Sequence, residues 1–253
     1  MAKIEAMKLL LIIFCFHSYY GFSVVRKDRT PLVERSFVRE SNETNLRWIF
    51  EEELKYKLVQ GNRGVFSIGI KQYGMTRDWD KIVSIKVSKR TYQRFDLSQA
   101  ISFKKDAMNG LFPEISDFNN DGMLDLKIRT YEAARGANEV CTLFIFDPSG
   151  DSLITIKNSW QYPNLRYNAE LNCVDAWAVY GGSKSEFLKI QGDSLVIEAC
   201  VEVSEGELIV QSYDHSEKVY KTIRKPSKLA ELSRFSNYRP VELMSSIDHP
   251  STW

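Results

Sequence analysis

The chain has 253 residues, enough for one large domain or two small ones and for a hydrophobic core that needs no disulfide. Its 34 Lys and Arg residues nearly balance its 33 Asp and Glu residues. This balance argues against nucleic acid as the partner, because proteins that bind phosphate backbones normally carry an excess of positive charge.

The N-terminus predicts export. Lysines precede a short apolar run over residues 9–16, and the small residues Gly21 and Ser23 suit a signal peptidase. The run is too short to span a bilayer as a helix, and no later segment is apolar enough to do so. We therefore expect a cleaved signal peptide over residues 1–23 and a periplasmic or secreted mature protein. A buried N-terminal helix is the alternative.

Most of the remaining chain predicts β-structure. Residues 24–45 are polar and irregular, as in a flexible leader, and residues 54–58 and 65–70 then predict a hairpin around a glycine-containing turn. Further strand patterns follow at short intervals over residues 81–89, 126–131, 140–146, 153–156, 174–180, 187–190, 195–203, 207–213 and 218–223.

Strands at this spacing indicate an all-β fold, a single antiparallel sandwich or barrel-like domain over residues 46–225. Helix is expected only in short pieces, over residues 97–108 and 227–235. The second of these belongs to a C-terminal helix and tail over residues 226–253.

Residues 117–125 have the ligand spacing of a calcium loop. Oxygen-bearing side chains occupy its positions one, three, five and nine, and they belong to Asp117, Asn119, Asp121 and Asp125. Gly122 at position six allows the sharp turn. We expect these side chains and the backbone carbonyl of Met123 to bind Ca²⁺. The alternative is a polar turn in which Asp and Asn serve turn geometry alone.

The loop is not that of an EF-hand. Position twelve is Ile128 instead of the bidentate glutamate, and a strand pattern follows the loop. An exported protein meets abundant calcium in many settings, so we expect a permanent structural ion, not a regulatory one.

Three cysteines remain after the signal peptide, namely Cys141, Cys173 and Cys200. In an oxidising compartment one disulfide and one buried thiol are expected, with Cys173 and Cys200 as the pair. Three buried thiols are the alternative.

The sequence contains no pattern typical of an enzyme. The mature chain has His215 and His249, without a zinc-protease, nucleophile-elbow or phosphate-loop motif. The glutamates at positions 51–53 are interpreted as a solvated charge run. We therefore expect no catalytic activity.

The calcium-loop segment resembles a known family. Residues 115–128, the Gly/Asn turn at 134–138 and the strand end at 143–147 are similar to the loop-plus-strand unit of FG-GAP and related repeat proteins. More closely, they resemble exported bacterial proteins with one such unit, whose characterised members are periplasmic immunity proteins. These neutralise lysozyme-like effectors of a type IV secretion system. The resemblance covers roughly residues 64–224 and implies a lysozyme-inhibitor-like fold and a cell-wall hydrolase as partner.

An inhibitor of this kind would present one loop to the substrate cleft of the enzyme. The aromatic and polar composition of residues 160–167 suits that role, and its candidate contacts are Trp160, Tyr162, Arg166 and Tyr167. These aromatics could instead cover the end of the core. The competing function is a calcium-dependent adhesion or carbohydrate-binding module of the cell envelope, in which exposed aromatics stack on sugars.

Overall fold

The computed structural model describes residues 48–75, 81–106, 110–214, 217–223 and 232–238. These residues form three antiparallel sheets and three short 3₁₀ helices, so the expected all-β fold is confirmed. Within them, no helix is long and apolar enough to cross a membrane. The expected signal peptide and leader, together with His215 and His249, lie outside the described residues.

The first sheet has four strands arranged in chain order. They are β1 (Trp48–Val59), β2 (Val65–Met75), β3 (Lys81–Thr91) and β4 (Arg94–Lys105). The predicted hairpin is present, since β1 and β2 pair from Trp48 and Met75 to Val59 and Val65. Alternate residues of these strands point into one hydrophobic cluster, and the residues between them face away from it.

The helix expected over residues 97–108 is wrong for its described part. Residues 97–105 belong to β4, which pairs with β3 along its whole length. Ile101 and Phe103 pack against the first core cluster, whereas Ala100 and Ser102 are exposed. This period of two suits a strand with one buried face, and pairing with β3 outweighs the local helix propensity.

In the second and third sheets, too, neighbouring strands are consecutive in the chain. The second contains β5 (Pro113–Ser116), β6 (Asp125–Ala133), β7 (Asn138–Asp147) and β8 (Ser152–Thr155). The third contains β9 (Arg166–Asn168), β10 (Cys173–Val179), β11 (Ser183–Gln191), β12 (Ser194–Ser204), β13 (Glu207–Asp214) and β14 (Glu217–Ile223).

Strand β7 lies at the centre of the fold because both of its faces are buried. Phe144 and Phe146 belong to the cluster shared with the first sheet. Leu143 and Ile145 belong to a second cluster shared with the third sheet. The second sheet is therefore a middle layer, which explains why the predicted strand at 140–146 is apolar without alternation.

The segment over residues 232–238 covers the other face of the third sheet. Phe235 is buried in a third cluster with Cys173 and Phe187, and Trp177 Nε1 donates to the Ser233 carbonyl at 3.1 Å. The helix expected over 227–235 is wrong for residues 232–235, which are not helical. The backbone N–H of Phe235 donates to Ser185 Oγ at 2.8 Å, so it bonds to the sheet instead of to a helical turn. The rest of the expected helix lies outside the described residues.

The disulfide considered for Cys173 and Cys200 does not form. Both cysteines and Cys141 are free and buried. Strand β11 separates β10 from β12, which places the two backbones about 10 Å apart, beyond disulfide reach. Burial raises the pKa of the Cys173 and Cys200 thiols to about 11, so they stay protonated. The alternative of three buried thiols agrees with the structure.

Side-chain amides connect the three layers. In each of four cases one Asn or Gln side chain donates to the carbonyl and accepts from the N–H of a single distant residue, an arrangement we call an amide clamp. The clamps are Gln60 with Leu124, Gln99 with Leu153, Asn138 with Val179 and Asn158 with Leu195, with distances of 2.7–2.9 Å. The clamps of Gln60 and Gln99 join the region of the first sheet to that of the second. The clamps of Asn138 and Asn158 join the region of the second sheet to the third sheet.

Removing a clamp should cost stability because it leaves two backbone groups without partners. We expect Gln60→Leu, at a fully buried position, to lower the free energy of unfolding by about 2–4 kcal/mol in urea denaturation. The matched control is Gln191→Leu, at an exposed position, which should change stability by less than about 0.5 kcal/mol. Equal effects of the two substitutions would contradict the role given to the clamp.

Candidate functional site

The predicted calcium loop connects β5 to β6, so the strand expected after it is present and another strand precedes it. Asp117 accepts the N–H of Asp121 at 3.2 Å through Oδ1 and that of Gly122 at 2.8 Å through Oδ2. Asp121 Oδ1 accepts the N–H of Met123 at 2.7 Å, and Asn119 Nδ2 donates to Asp121 Oδ2 at 2.8 Å. Gly122 has a φ of 83°, a conformation that favours glycine. These bonds gather Asp117, Asn119 and Asp121 in one exposed turn.

Asp125 is different from the other expected ligands because it is fully buried. Its Oδ2 accepts the N–H of Phe118 at 2.7 Å, and its Oδ1 accepts the N–H of Phe146 at 2.8 Å. The carboxylate thus ties the start of the loop to β7. Burial raises the pKa of Asp125 to about 7, although the two N–H groups act against this, and the negative charges of Asp121 and Asp117 raise it further.

The exposed part of the loop fits a hard cation, since its carboxylate and amide oxygens are the ligand type that Ca²⁺ takes. Among the described residues, however, no three His, Cys, Asp or Glu side chains lie close enough to hold a metal ion by themselves. Asp125 is directed to the N–H groups of Phe118 and Phe146, and in this conformation it does not join Asp117 and Asp121. Calcium binding by this loop stays a prediction.

A buried polar network lies at one end of the first sheet, and it was not predicted from the sequence. Glu51, interpreted as part of a solvated run, accepts from Lys81 Nζ at 2.6 Å and from Gln72 Nε2 at 2.6 Å. Lys105 Nζ donates to Gln72 Oε1 at 2.8 Å, and burial lowers the pKa of Lys105 to about 8. Glu52 accepts the N–H of Leu111 at 2.8 Å. The sequence signal for such a network would be a lysine at an inward-facing position of an otherwise apolar strand, because a buried lysine needs polar partners.

The four candidate partner-binding residues are used differently. Tyr162 packs against the second core cluster, and Tyr167 donates its hydroxyl to Asn172 Oδ1 at 2.8 Å. Arg166 pairs with the buried carboxylate of Asp175 at 3.1 Å. Of the three aromatic residues among the four, Trp160 alone is exposed to solvent, at 61%.

The segment that carries Trp160 is fixed on both sides. The Asn158 clamp precedes it, and Ser159 Oγ accepts the N–H of Leu143 at 3.1 Å. After it, Asn164 accepts the N–H of Glu139 at 3.0 Å and donates to two carbonyls at 2.8 and 2.7 Å. A short 3₁₀ helix over Ser159–Gln161 holds Trp160 between these anchors. The indole therefore projects from an ordered backbone.

Comparison with known proteins adds one distant likeness. No protein-family model matches the chain, and no curated protein matches it by sequence. A solved structure of a Xanthomonas type IV secretion system related protein is similar with a TM-score of 0.44 and 10% sequence identity, covering 66% of this chain and 92% of that one. This similarity is too low to indicate a function.

The two kinds of loop aspartate should differ in their effect on stability. With calcium removed by a chelator, we expect Asp125→Ala to lower the free energy of unfolding by about 2–5 kcal/mol, because two buried N–H groups lose their acceptors. The exposed Asp121→Ala should cost about 1 kcal/mol or less under the same conditions. Urea denaturation of both variants measures the difference, and an Asp125→Ala protein as stable as the wild type would show that the buried carboxylate is not a structural tie.

Proposed function

We propose that this chain is an exported, non-catalytic β-protein that acts by binding a partner protein. The single observation that supports this best is the exposed indole of Trp160 on a segment anchored at both ends. A large aromatic side chain held this way loses little conformational freedom on docking, and aromatic residues of this type are frequent energetic centres of interfaces.

The partner that we propose is a peptidoglycan hydrolase, in an immunity-type relationship. This choice is supported by the resemblance of the calcium-loop segment to periplasmic immunity proteins. In this proposal Trp160 enters the substrate cleft of the hydrolase and excludes the polysaccharide. Tyr162 and Arg166 then act indirectly, because their contacts with the core and with Asp175 hold the segment in place.

We further propose that Ca²⁺ braces the loop at Asp117–Asp125. Asp117, Asn119 and Asp121 would supply side-chain oxygens, and Met123 its carbonyl. Asp125 would contribute lone pairs that its two N–H partners do not use, because an ionised carboxylate has more acceptor sites than the two occupied here. The ion would offset the repulsion among three carboxylates, one of them buried.

The inhibitor proposal is tested on the turnover of purified lysozyme-type peptidoglycan hydrolases with a peptidoglycan suspension as substrate. The wild-type protein should slow at least one of them, and Trp160→Ala should weaken that inhibition roughly 30-fold or more. Tyr131→Ala, which removes another exposed aromatic, is the matched control and should inhibit normally. Melting temperatures of the variants should equal that of the wild type. Failure to slow any hydrolase, with glycan binding in the absence of enzyme, would favour the carbohydrate-binding alternative.

The calcium proposal is tested by thermal melting with and without a chelator. Calcium binding only to the folded state should raise the melting temperature of the wild type, and chelator should lower it by several degrees. Asp121→Ala should melt at the same temperature with and without chelator. A wild-type melting temperature that does not respond to chelator would show that the loop is a polar turn without a metal.

A further inference from the structure

The outer face of the first sheet concentrates positive charge, although the whole chain has a net charge of only +1. The residues of β1, β2 and β3 that alternate with the buried core positions include several cations. These are Lys55, Lys57, Lys71, Lys86 and Arg90, with Glu53 as the acidic side chain among them. Glu53 contacts Lys55 at 3.5 Å and Lys71 at 3.6 Å. Lys57 and Lys86 are exposed and lie outside these two ion pairs.

Strand register places these cations in rows across a flat surface. Two adjacent rows consist of Lys57, Ser67, Ser88 and Leu97, and of Lys55, Gly69, Lys86 and Ala100. Ser67 and Ser88 follow Lys57 in the first row, and Gly69 lies between Lys55 and Lys86 in the second. Such small side chains leave the lysines as the tallest groups, so a broad and flat anionic surface could approach them closely.

One end of this face is apolar. Beyond these rows Val59 pairs with Val65, and Arg90 pairs with Phe95 beside the β3–β4 turn. Tyr92 in that turn is 94% exposed, Leu97 is 60% exposed and Phe95 is 44% exposed. Grouped exposed apolar side chains mark interaction sites of soluble proteins. Here the apolar tip is directly continuous with the basic rows.

We propose that this face binds the surface of an anionic phospholipid bilayer. Tyr92, Phe95 and Leu97 enter the headgroup region, and Lys57 and Lys86 lie against lipid phosphates. An apolar edge backed by cations is the arrangement that holds peripheral proteins at an anionic membrane, where each Lys or Arg adds to the attraction. In this arrangement the first sheet lies on the membrane surface.

The composition of the face favours lipid over an acidic protein surface. Lysine is depleted in protein–protein interfaces, whereas arginine and aromatic residues are enriched there. Lysine is also a strongly hydrated point charge that does not require a fixed partner geometry, which suits a fluid layer of phosphates. This inference is independent of the proposed hydrolase partner, which is assigned to Trp160 in a different sheet region.

The test uses the protein purified from its producer with its natural N-terminus and phosphatidylcholine vesicles containing about one third phosphatidylglycerol. The wild type should sediment with these vesicles at low salt, less so at high salt, and weakly with pure phosphatidylcholine. Lys57→Ser combined with Lys86→Ser should weaken binding roughly 30-fold, since each lysine contributes roughly fivefold. Phe95→Ser combined with Leu97→Ser should weaken it roughly tenfold or more.

The matched control is Lys157→Ser combined with Lys189→Ser, which removes two exposed lysines in other parts of the chain and should leave vesicle binding unchanged. Circular dichroism and melting of every variant exclude unfolding as the cause. Equal loss in the control and the Lys57/Lys86 variant would overturn the assignment of this face. Full binding by the Phe95/Leu97 variant, or binding to soluble DNA as strong as binding to vesicles, would overturn the lipid proposal. Either result would show that the face binds polyanions in general.

Discussion

The hydrogen bonds between side-chain amides and distant backbone are the constraint on which the arrangement of the three sheets depends. A sheet that packs between two others must bury the backbone groups at its edges and in its connecting loops, and buried backbone groups need partners. The amide clamps supply such partners at Leu124 and Leu153 in the region of the middle sheet and at Val179 and Leu195 in the third sheet. A carboxamide is suited to this task because it offers a donor and an acceptor side by side and carries no charge to be desolvated.

The same device determines what the functional loops can do. Leu124, held by Gln60, immediately precedes the buried Asp125, so the last residues of the candidate calcium loop are fixed from the first sheet. Asn158, held against Leu195, fixes the start of the segment that carries Trp160. Both candidate sites therefore obtain their order from contacts made far along the chain, and neither depends on its local sequence alone.

The strands were largely predictable from the sequence, because periodicity reports which face of a strand is buried. The error at β4 arose where the apolar pattern is weak: residues 94–98 are exposed, and two of the four inward-facing residues that follow, Gln99 and Lys105, are polar. The loop at 117–125 was recognised from spacing, yet the inward position of Asp125 was not, since its partner Phe146 lies on another strand. The clamps were equally out of reach, because Gln60 and Leu124 are 64 positions apart and nothing local distinguishes Gln60 from an exposed glutamine.

Charged residues serve opposite purposes on the two sides of the first sheet. On the core side, Lys81 and Lys105 are buried and bonded to Glu51 and Gln72, and a charge in that position must be paired to be tolerated. On the outer side, Lys57 and Lys86 stand among serines and keep their hydration. One sheet thus uses lysine both as an internal connector and as a surface charge.

In each sheet the strands follow one another in chain order, so every strand pairing joins consecutive segments. Closing such short loops costs little chain entropy, and contacts between near neighbours in sequence form quickly. Each sheet can therefore assemble as soon as its own residues are available, without waiting for the C-terminus. The clamps, the packing of β7 and the cover of the third sheet by residues 232–238 require residues that come later in the chain. During synthesis the N-terminus of a chain emerges first, so this order of assembly would shorten the time for which unpaired strand edges are exposed.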